Sequence, residues 1–153
     1  MKFTGGLQNM LQPTTLIVED SEEYCRFLLL TLQEKTHCQI IGQAADGLEA
    51  VKQAEELQPD LILLDLGLPK LNGMDAARQI RNLAPNSKIL FVTQNDSVET
   101  MQLALRGGAS GYLLKSDGME LPTALEIIMQ GKRFVSSRLE RSMAATQGAA
   151  SSI

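Results

Sequence analysis

From residue 14 to residue 131 the chain repeats one unit five times: a short apolar run of strand length, then a helix-length amphipathic stretch. Parallel strands need long crossover connections, and those crossovers are right-handed almost without exception. Five βα units in succession therefore predict an α/β fold: a doubly wound parallel sheet with helices on both faces. Thr14–Val18 reads as the first strand and Glu22–Lys35 as the helix after it. Ser21 is placed to cap that helix, and the two acids behind it favour the helix dipole. Tyr24, Phe27, Leu28, Thr31 and Leu32 recur at helical spacing along it. Gln39–Ala44 alternates polar and apolar residues, as an edge strand does, whereas Asp60–Leu64 is apolar throughout its interior, as a central parallel strand is.

Asp46-Gly47 opens a second helix over Leu48–Leu57, and Met74, Ala77 and Ile80 mark a third. Lys88–Val92 is the fourth strand. Val98, Met101, Ala104 and Leu105 form one face of a fourth helix, which Gly107-Gly108 ends. Gly111–Leu114 is the fifth strand, followed by a helix from about Met119 to Gln130 with Pro122 in its first turn, where a missing N–H is tolerated. Residues 1–13 read as an N-terminal tail, 14–131 as one domain, and 132–153 as a tail with one short helix near Ser136–Met143.

Four of the strands close on reactive side chains. The first ends in Glu19 and Asp20, the third in Asp65, the fourth in Thr93 and the fifth in Lys115. In open α/β sheets, ligands gather at the C-terminal edge where these residues lie. If the first and third strands are neighbours, three carboxylates crowd together. Two of them about 4 Å apart repel by roughly 4 kcal/mol at an effective dielectric near 20. Protonation, spreading into solvent or a cation would relieve this. Magnesium suits such a set, because it takes one or two carboxylates, keeps waters and completes its shell with phosphate oxygen. Asp65 can then act as a nucleophile toward phosphorus. Lys115 offers a cation and Thr93 a hydroxyl donor for the transferring oxygens.

Bulk properties narrow the partners. The formal net charge is −4, with 14 basic against 18 acidic residues, which argues against non-specific binding to nucleic acid or an anionic membrane. Two cysteines, Cys25 and Cys38, lack metal-ligand spacing and read as free thiols in a reducing cytosol. No apolar segment precedes Pro13 as a secretory signal would, and no run is long enough to span a bilayer. These features predict a cytoplasmic protein. His37, the one histidine, falls at the polar end of the first helix and reads as a surface residue.

The runs Leu16-Ile17-Val18-Glu19-Asp20, Leu63-Leu64-Asp65-Leu66-Gly67-Leu68-Pro69 followed by Asn72-Gly73, Val92-Thr93, and Gly108 through Lys115 together resemble the receiver domain of bacterial two-component response regulators. The likeness covers Thr14 to Gly131. It implies a flavodoxin-like, five-stranded sheet of order 2-1-3-4-5 with five helices. It also implies that Asp65 accepts a phosphoryl group from a histidine kinase or phosphotransfer protein. Glu19 and Asp20 would hold Mg²⁺ or Mn²⁺, with Asp65 and the Gly67 carbonyl as further ligands. Thr93 and Lys115 would contact the phosphoryl oxygens, and Tyr112 matches the aromatic switch that moves with Thr93. The wording around Lys115, with Gly131-Lys132-Arg133-Phe134, is similar to the nitrate-regulator (LuxR-type) class. In that class DNA is bound by a helix-turn-helix domain, for which the residues after Gly131 are too few. A homodimer or an effector would then be read out through the end of the sheet near the fifth strand.

Three residues depart from that pattern. Glu19 stands where the family often has Asp. Ser116 stands where many receivers have Pro. Gln94 stands where a very small residue is usual, and is placed to gate the phosphoryl pocket. Two rival readings remain at this level. A stand-alone or phosphorylation-independent interaction module would need none of these five competent positions. A haloacid-dehalogenase-type phosphatase would need an acid two residues after the nucleophile, and that residue is Gly67.

Overall fold

The computed structural model describes residues 12–151, with side chains as far as residue 145. Of the expected N-terminal tail, residues 1–11 lie outside the described residues. Strands β1 (Thr14–Val18), β2 (Gln39–Ala44), β3 (Leu61–Leu64), β4 (Lys88–Thr93) and β5 (Gly111–Leu114) alternate with helices α1 (Glu22–Lys35), α2 (Gly47–Leu57), α3 (Gly73–Leu83), α4 (Val98–Arg106) and α5 (Leu121–Met129). All neighbouring strands run parallel, in the order β2-β1-β3-β4-β5.

The sheet continues past β5, which corrects the expectation of five strands and five helices. β6 (Phe134–Val135) pairs with β5, setting Gly111 opposite Phe134 and Tyr112 opposite Val135, and α6 (Ser137–Ser151) follows. The described residues thus form six strands, in the order β2-β1-β3-β4-β5-β6, and six α-helices. A two-residue strand carries no periodicity to detect, so only its partner could betray it. β5 is buried at all four positions, which an exposed edge strand is not. The end of the sheet expected to be open for a partner is therefore covered by the chain itself.

Alternation of side chains divides the core into two layers. Leu16, Val18, Ile62, Leu64, Phe91 and Tyr112 face α2, α3 and α4, joined by Leu139 from α6. Ile17, Leu61, Leu63, Leu90, Val92 and Leu113 face α1 and α5. Each such Leu or Ile contributes about 1.5–3 kcal/mol on leaving water. This two-sided burial is why β3 reads as an uninterrupted apolar run.

Helix starts follow local chemistry. Ser21, Asp46, Asn72 and Ser97 each accept a hydrogen bond from the backbone N–H three residues on, capping α1, α2, α3 and α4. Leu28 and Leu32 carry the buried stripe of α1. Phe27, expected on that stripe, stays 36% exposed because it lies at the rim beside Tyr24 and Gly118. A 3₁₀ segment over Lys115–Glu120 delays α5, and Asp117 within it leaves helical geometry.

Candidate functional site

Register brings the reactive strand ends together. Val18 pairs with Leu64, so Glu19 and Asp65 follow side by side at one edge of the sheet. The Asp65 N–H donates to the Val18 carbonyl at 3.2 Å, and the Glu19 N–H to the Ala44 carbonyl at 3.0 Å. Thr93 pairs with Leu114, which delivers Lys115 one residue further along the same edge. The β3–α3 loop is fastened to the acid itself. Gly73 donates its N–H to the Leu66 carbonyl at 2.8 Å, and a Cβ at Gly73 would come within 2.0 Å of the Asp65 carbonyl oxygen. Only glycine permits that approach.

Glu19, Asp20 and Asp65 offer carboxylate oxygens that all lie within 4.8 Å of one another. Glu19 and Asp65 are buried, and Asp20 is exposed to solvent. Lys115 bridges the buried pair, with Nζ 2.7 Å from Glu19 Oε1 and 2.9 Å from Asp65 Oδ2. The remaining oxygens also find donors. Glu19 Oε2 accepts from the Ser21 N–H at 3.0 Å, and Asp65 Oδ1 from the Gly67 N–H at 3.2 Å.

Burial pushes the Glu19 carboxyl above its ordinary pKa, and the Asp65 charge adds to that, although Lys115 and the Ser21 N–H oppose it. Burial alone would lower the Lys115 pKa. Its bonds to Glu19 and Asp65 outweigh that loss, and the ammonium is held above its ordinary value.

Thr93 is buried, and its Oγ1 accepts from the Asn95 N–H at 3.2 Å. Tyr112 is fully buried and donates its hydroxyl to the Asn95 carbonyl at 2.7 Å. Tyr112, which the resemblance expects to move with Thr93, lies inward in this structure. Gln94 is exposed and lines a cleft of about 510 Å³ together with Asp20, Asp65, Gly67, Thr93 and Lys115. His37 is exposed, away from these residues.

Sequence reading missed two residues of this site. Tyr24 has its ring centroid 4.8 Å from Lys115 Nζ, and its hydroxyl donates to the Lys115 carbonyl at 3.1 Å. It therefore holds the lysine by side chain and backbone at once. Burial, with Glu19 and Asp65 nearby, pushes its phenol up to about 12. Helical spacing assigned Tyr24 only to the packed face of α1. Asn95 joins Thr93 to Tyr112 through its backbone, so no side-chain signal could reveal it.

The donor set fits a small, hard divalent cation: three carboxylates, one of them open to water, at the mouth of a polar cleft. Gly67 is exposed with nothing within 4 Å of an added Cβ, leaving its loop room beside the acids. A bound ion would share the Glu19 and Asp65 carboxylates with Lys115.

A parallel, doubly wound sheet with an acid triad, a lysine and a threonine at its C-terminal edge defines a phosphoryl-handling α/β domain of the flavodoxin-like kind. The response regulator receiver domain profile matches residues 15–126, and the chain belongs to that family. It is 30% identical over 130 residues to the response regulator GacA of Pseudomonas viridiflava, covering 84% of this chain and 61% of that protein. It is 32% identical over 100 residues to the chemotaxis protein CheY of Thermotoga maritima, covering 65% of this chain and 82% of that one. A two-component response regulator of the LuxR family from Aurantimonas sp. SI85-9A1 superposes with a TM-score of 0.83 at 29% identity, over 89% of this chain and 98% of that one. Within the family the likeness is to the LuxR type, as the residues around Lys115 suggested. The chain spans 61% of the length of the GacA proteins it matches, so it corresponds to part of such a regulator. Among the described residues no helix is long and apolar enough to cross a membrane.

Proposed function

We propose that this receiver domain takes a phosphoryl group onto Asp65 from a phosphohistidine of a sensor kinase or phosphotransfer protein, in the cytoplasm. The observation that carries this reading is the Lys115 ammonium, 2.9 Å from Asp65 Oδ2 and 2.7 Å from Glu19 Oε1, at the mouth of an acid-lined cleft. An Asp65 oxygen attacks phosphorus in line. The new P–O bond forms as the P–N bond breaks, and the donor imidazole leaves with the bonding pair and is reprotonated by water. Lys115 and the Thr93 hydroxyl donate to the phosphoryl oxygens as charge gathers on them. A divalent ion, Mg²⁺ or Mn²⁺, held by Glu19, Asp20, Asp65 and the Gly67 carbonyl, would supply further neutralisation of that charge.

The position of a phosphatase's general acid is occupied by Gly67. Asp65 therefore serves as a slow acceptor that releases phosphate to water without steady turnover of an ester. Gln94, over the open side of the cleft, screens that water, and Gln94→Ala shortens the aspartyl-phosphate lifetime. The signal passes to a partner, a second copy or a DNA-binding domain elsewhere in the regulator. The direct test is intact-mass spectrometry after treatment with acetyl phosphate and Mg²⁺. One phosphoryl group is gained by the native chain and none by Asp65→Asn. A phosphoryl group retained in Asp65→Asn overturns the assignment.

A further inference from the structure

The segment after Gly131 is joined to the strand that carries Lys115. The Leu114 N–H, one residue before Lys115, donates to Ser136 Oγ at 2.7 Å, and both residues are buried. The Ser136 N–H returns to the Tyr112 carbonyl at 2.9 Å, and the Phe134 N–H donates to the Ser110 carbonyl at 3.1 Å. At the start of α6, Glu120 Oε1 accepts from the Ser137 N–H at 3.3 Å and from its hydroxyl at 2.7 Å. Arg138 Nη1 donates to Ser116 Oγ at 2.7 Å. Leu139 completes the attachment, 1% exposed in the same core layer as Tyr112 and Met101. Apart from Ser110, which immediately precedes β5, the hydrogen-bond partners in this set belong to β5 or to the 3₁₀ segment over Lys115–Glu120.

We propose that β6 and the first turns of α6 form a strap that the unphosphorylated site holds closed and that phosphorylation of Asp65 loosens. The proposal rests on the phosphoacceptor reading above and names how that site is regulated. In the closed state Lys115 is committed to Glu19 and Asp65, and Thr93 Oγ1 to the Asn95 N–H, whose carbonyl anchors Tyr112. A phosphoryl group on Asp65 competes for both Lys115 and Thr93. Taking Lys115 shifts the 3₁₀ segment that holds Ser137 and Arg138. Taking Thr93 breaks its hydrogen bond to the Asn95 N–H, while Tyr112 keeps its inward place. A ligand moves such an equilibrium only through its differential affinity, and contacts to Lys115 and Thr93 provide the difference. The strap runs straight into α6, so its release changes the freedom of whatever α6 packs against or leads into.

Beryllofluoride with Mg²⁺, applied to the full 153-residue chain, serves as the phosphoryl mimic. Fluorine NMR reads its occupancy of Asp65, and hydrogen exchange reads the amides of Phe134, Ser136 and Leu139. Occupancy is expected to speed their exchange by about tenfold, while α2 amides, toward the opposite edge of the sheet, are unchanged. Ser136→Ala and Glu120→Ala are each expected to raise exchange in the strap before any beryllofluoride is added, with the fluorine signal preserved. If Ser136→Ala does not fold, Glu120→Ala carries the comparison. A full fluorine signal with unchanged or slower strap exchange overturns the strap and leaves the phosphoacceptor reading standing. Strap exchange in Glu120→Ala equal to the native rate also overturns it. No fluorine signal at Asp65 removes both readings together.

Discussion

The site is governed by one cation shared between two buried acids. Breaking a buried charge pair by removing one partner is costly, because the other charge is left without compensation. Lys115→Ala is therefore expected to lower stability on the order of 3 kcal/mol, since the buried Glu19 and Asp65 then repel with no cation between them. Mg²⁺ held by the acids, as proposed above, would offset part of that loss, so its addition is expected to raise the melting temperature of Lys115→Ala more than that of the native chain. Equal shifts in a thermal melt would show that the lysine and the ion do not compete for the same oxygens.

The two tyrosines give the site an alkaline signature. The Tyr24 phenol is pushed up to about 12 by burial and by Glu19 and Asp65, and burial with Asp96 and Asp65 pushes Tyr112 higher still. A phenol whose pKa is raised on folding contributes stability that is fully present below its unfolded value. That stability is lost as pH rises from the unfolded value, about 10, through the folded one. Ultraviolet titration of the folded chain should show no phenolate at pH near 10, where the chain in denaturant is half ionised. Half ionisation of the folded chain at that pH would place Tyr24 in water and away from Lys115.

At the scale of elements, the connections set what the strand ends can reach. α4 ends on Gly107, and Gly108 follows at φ 99°, a left-handed conformation in which a side chain is strained. An added Cβ there would also come within 2.0 Å of Arg81 Nη1, the far end of a flexible side chain that can swing aside. The backbone strain remains, and Gly108→Ala should cost about 1–2 kcal/mol. Urea unfolding tests this through a lower midpoint at unchanged slope. An unchanged midpoint would mean that the α4–β5 turn relaxes without cost.

At the scale of the molecule, β6 and α6 belong to the sheet and to its core. Phe134 is 8% exposed and Leu139 1%, and their removal would uncover Tyr112 as well. Burial of each such side chain is worth about 1.5–3 kcal/mol. We expect a chain ending at Gly131 to melt about 10 °C lower than one that keeps α6, given roughly 2–4 °C per kcal/mol at this size. Matching melting temperatures would make residues 14–131 the complete folding unit and β6 an ornament.

The five βα units, the central place of β3, the cap at Ser21, the turn at Asp46-Gly47 and the strand-end residues were legible in the sequence because each is written locally. An apolar run, a polar terminus and a helical period need only near neighbours in the chain. Glu19, Asp20, Asp65, Thr93 and Lys115 could be gathered to one edge because parallel strands must end on the same side. Local pattern could not reveal β6, whose two residues pair only because β5 lies beside them. Nor could it assign Tyr24 to Lys115, 91 residues away, or Ser136 to Leu114. Those contacts depend on how α1 and the final segment pack across the sheet, and packing is decided by tertiary structure. The sequence by itself determined which groups are available at the sheet edge. Tertiary structure alone decided that one ammonium would bridge Glu19 and Asp65, and that the chain would close its own sheet beside them.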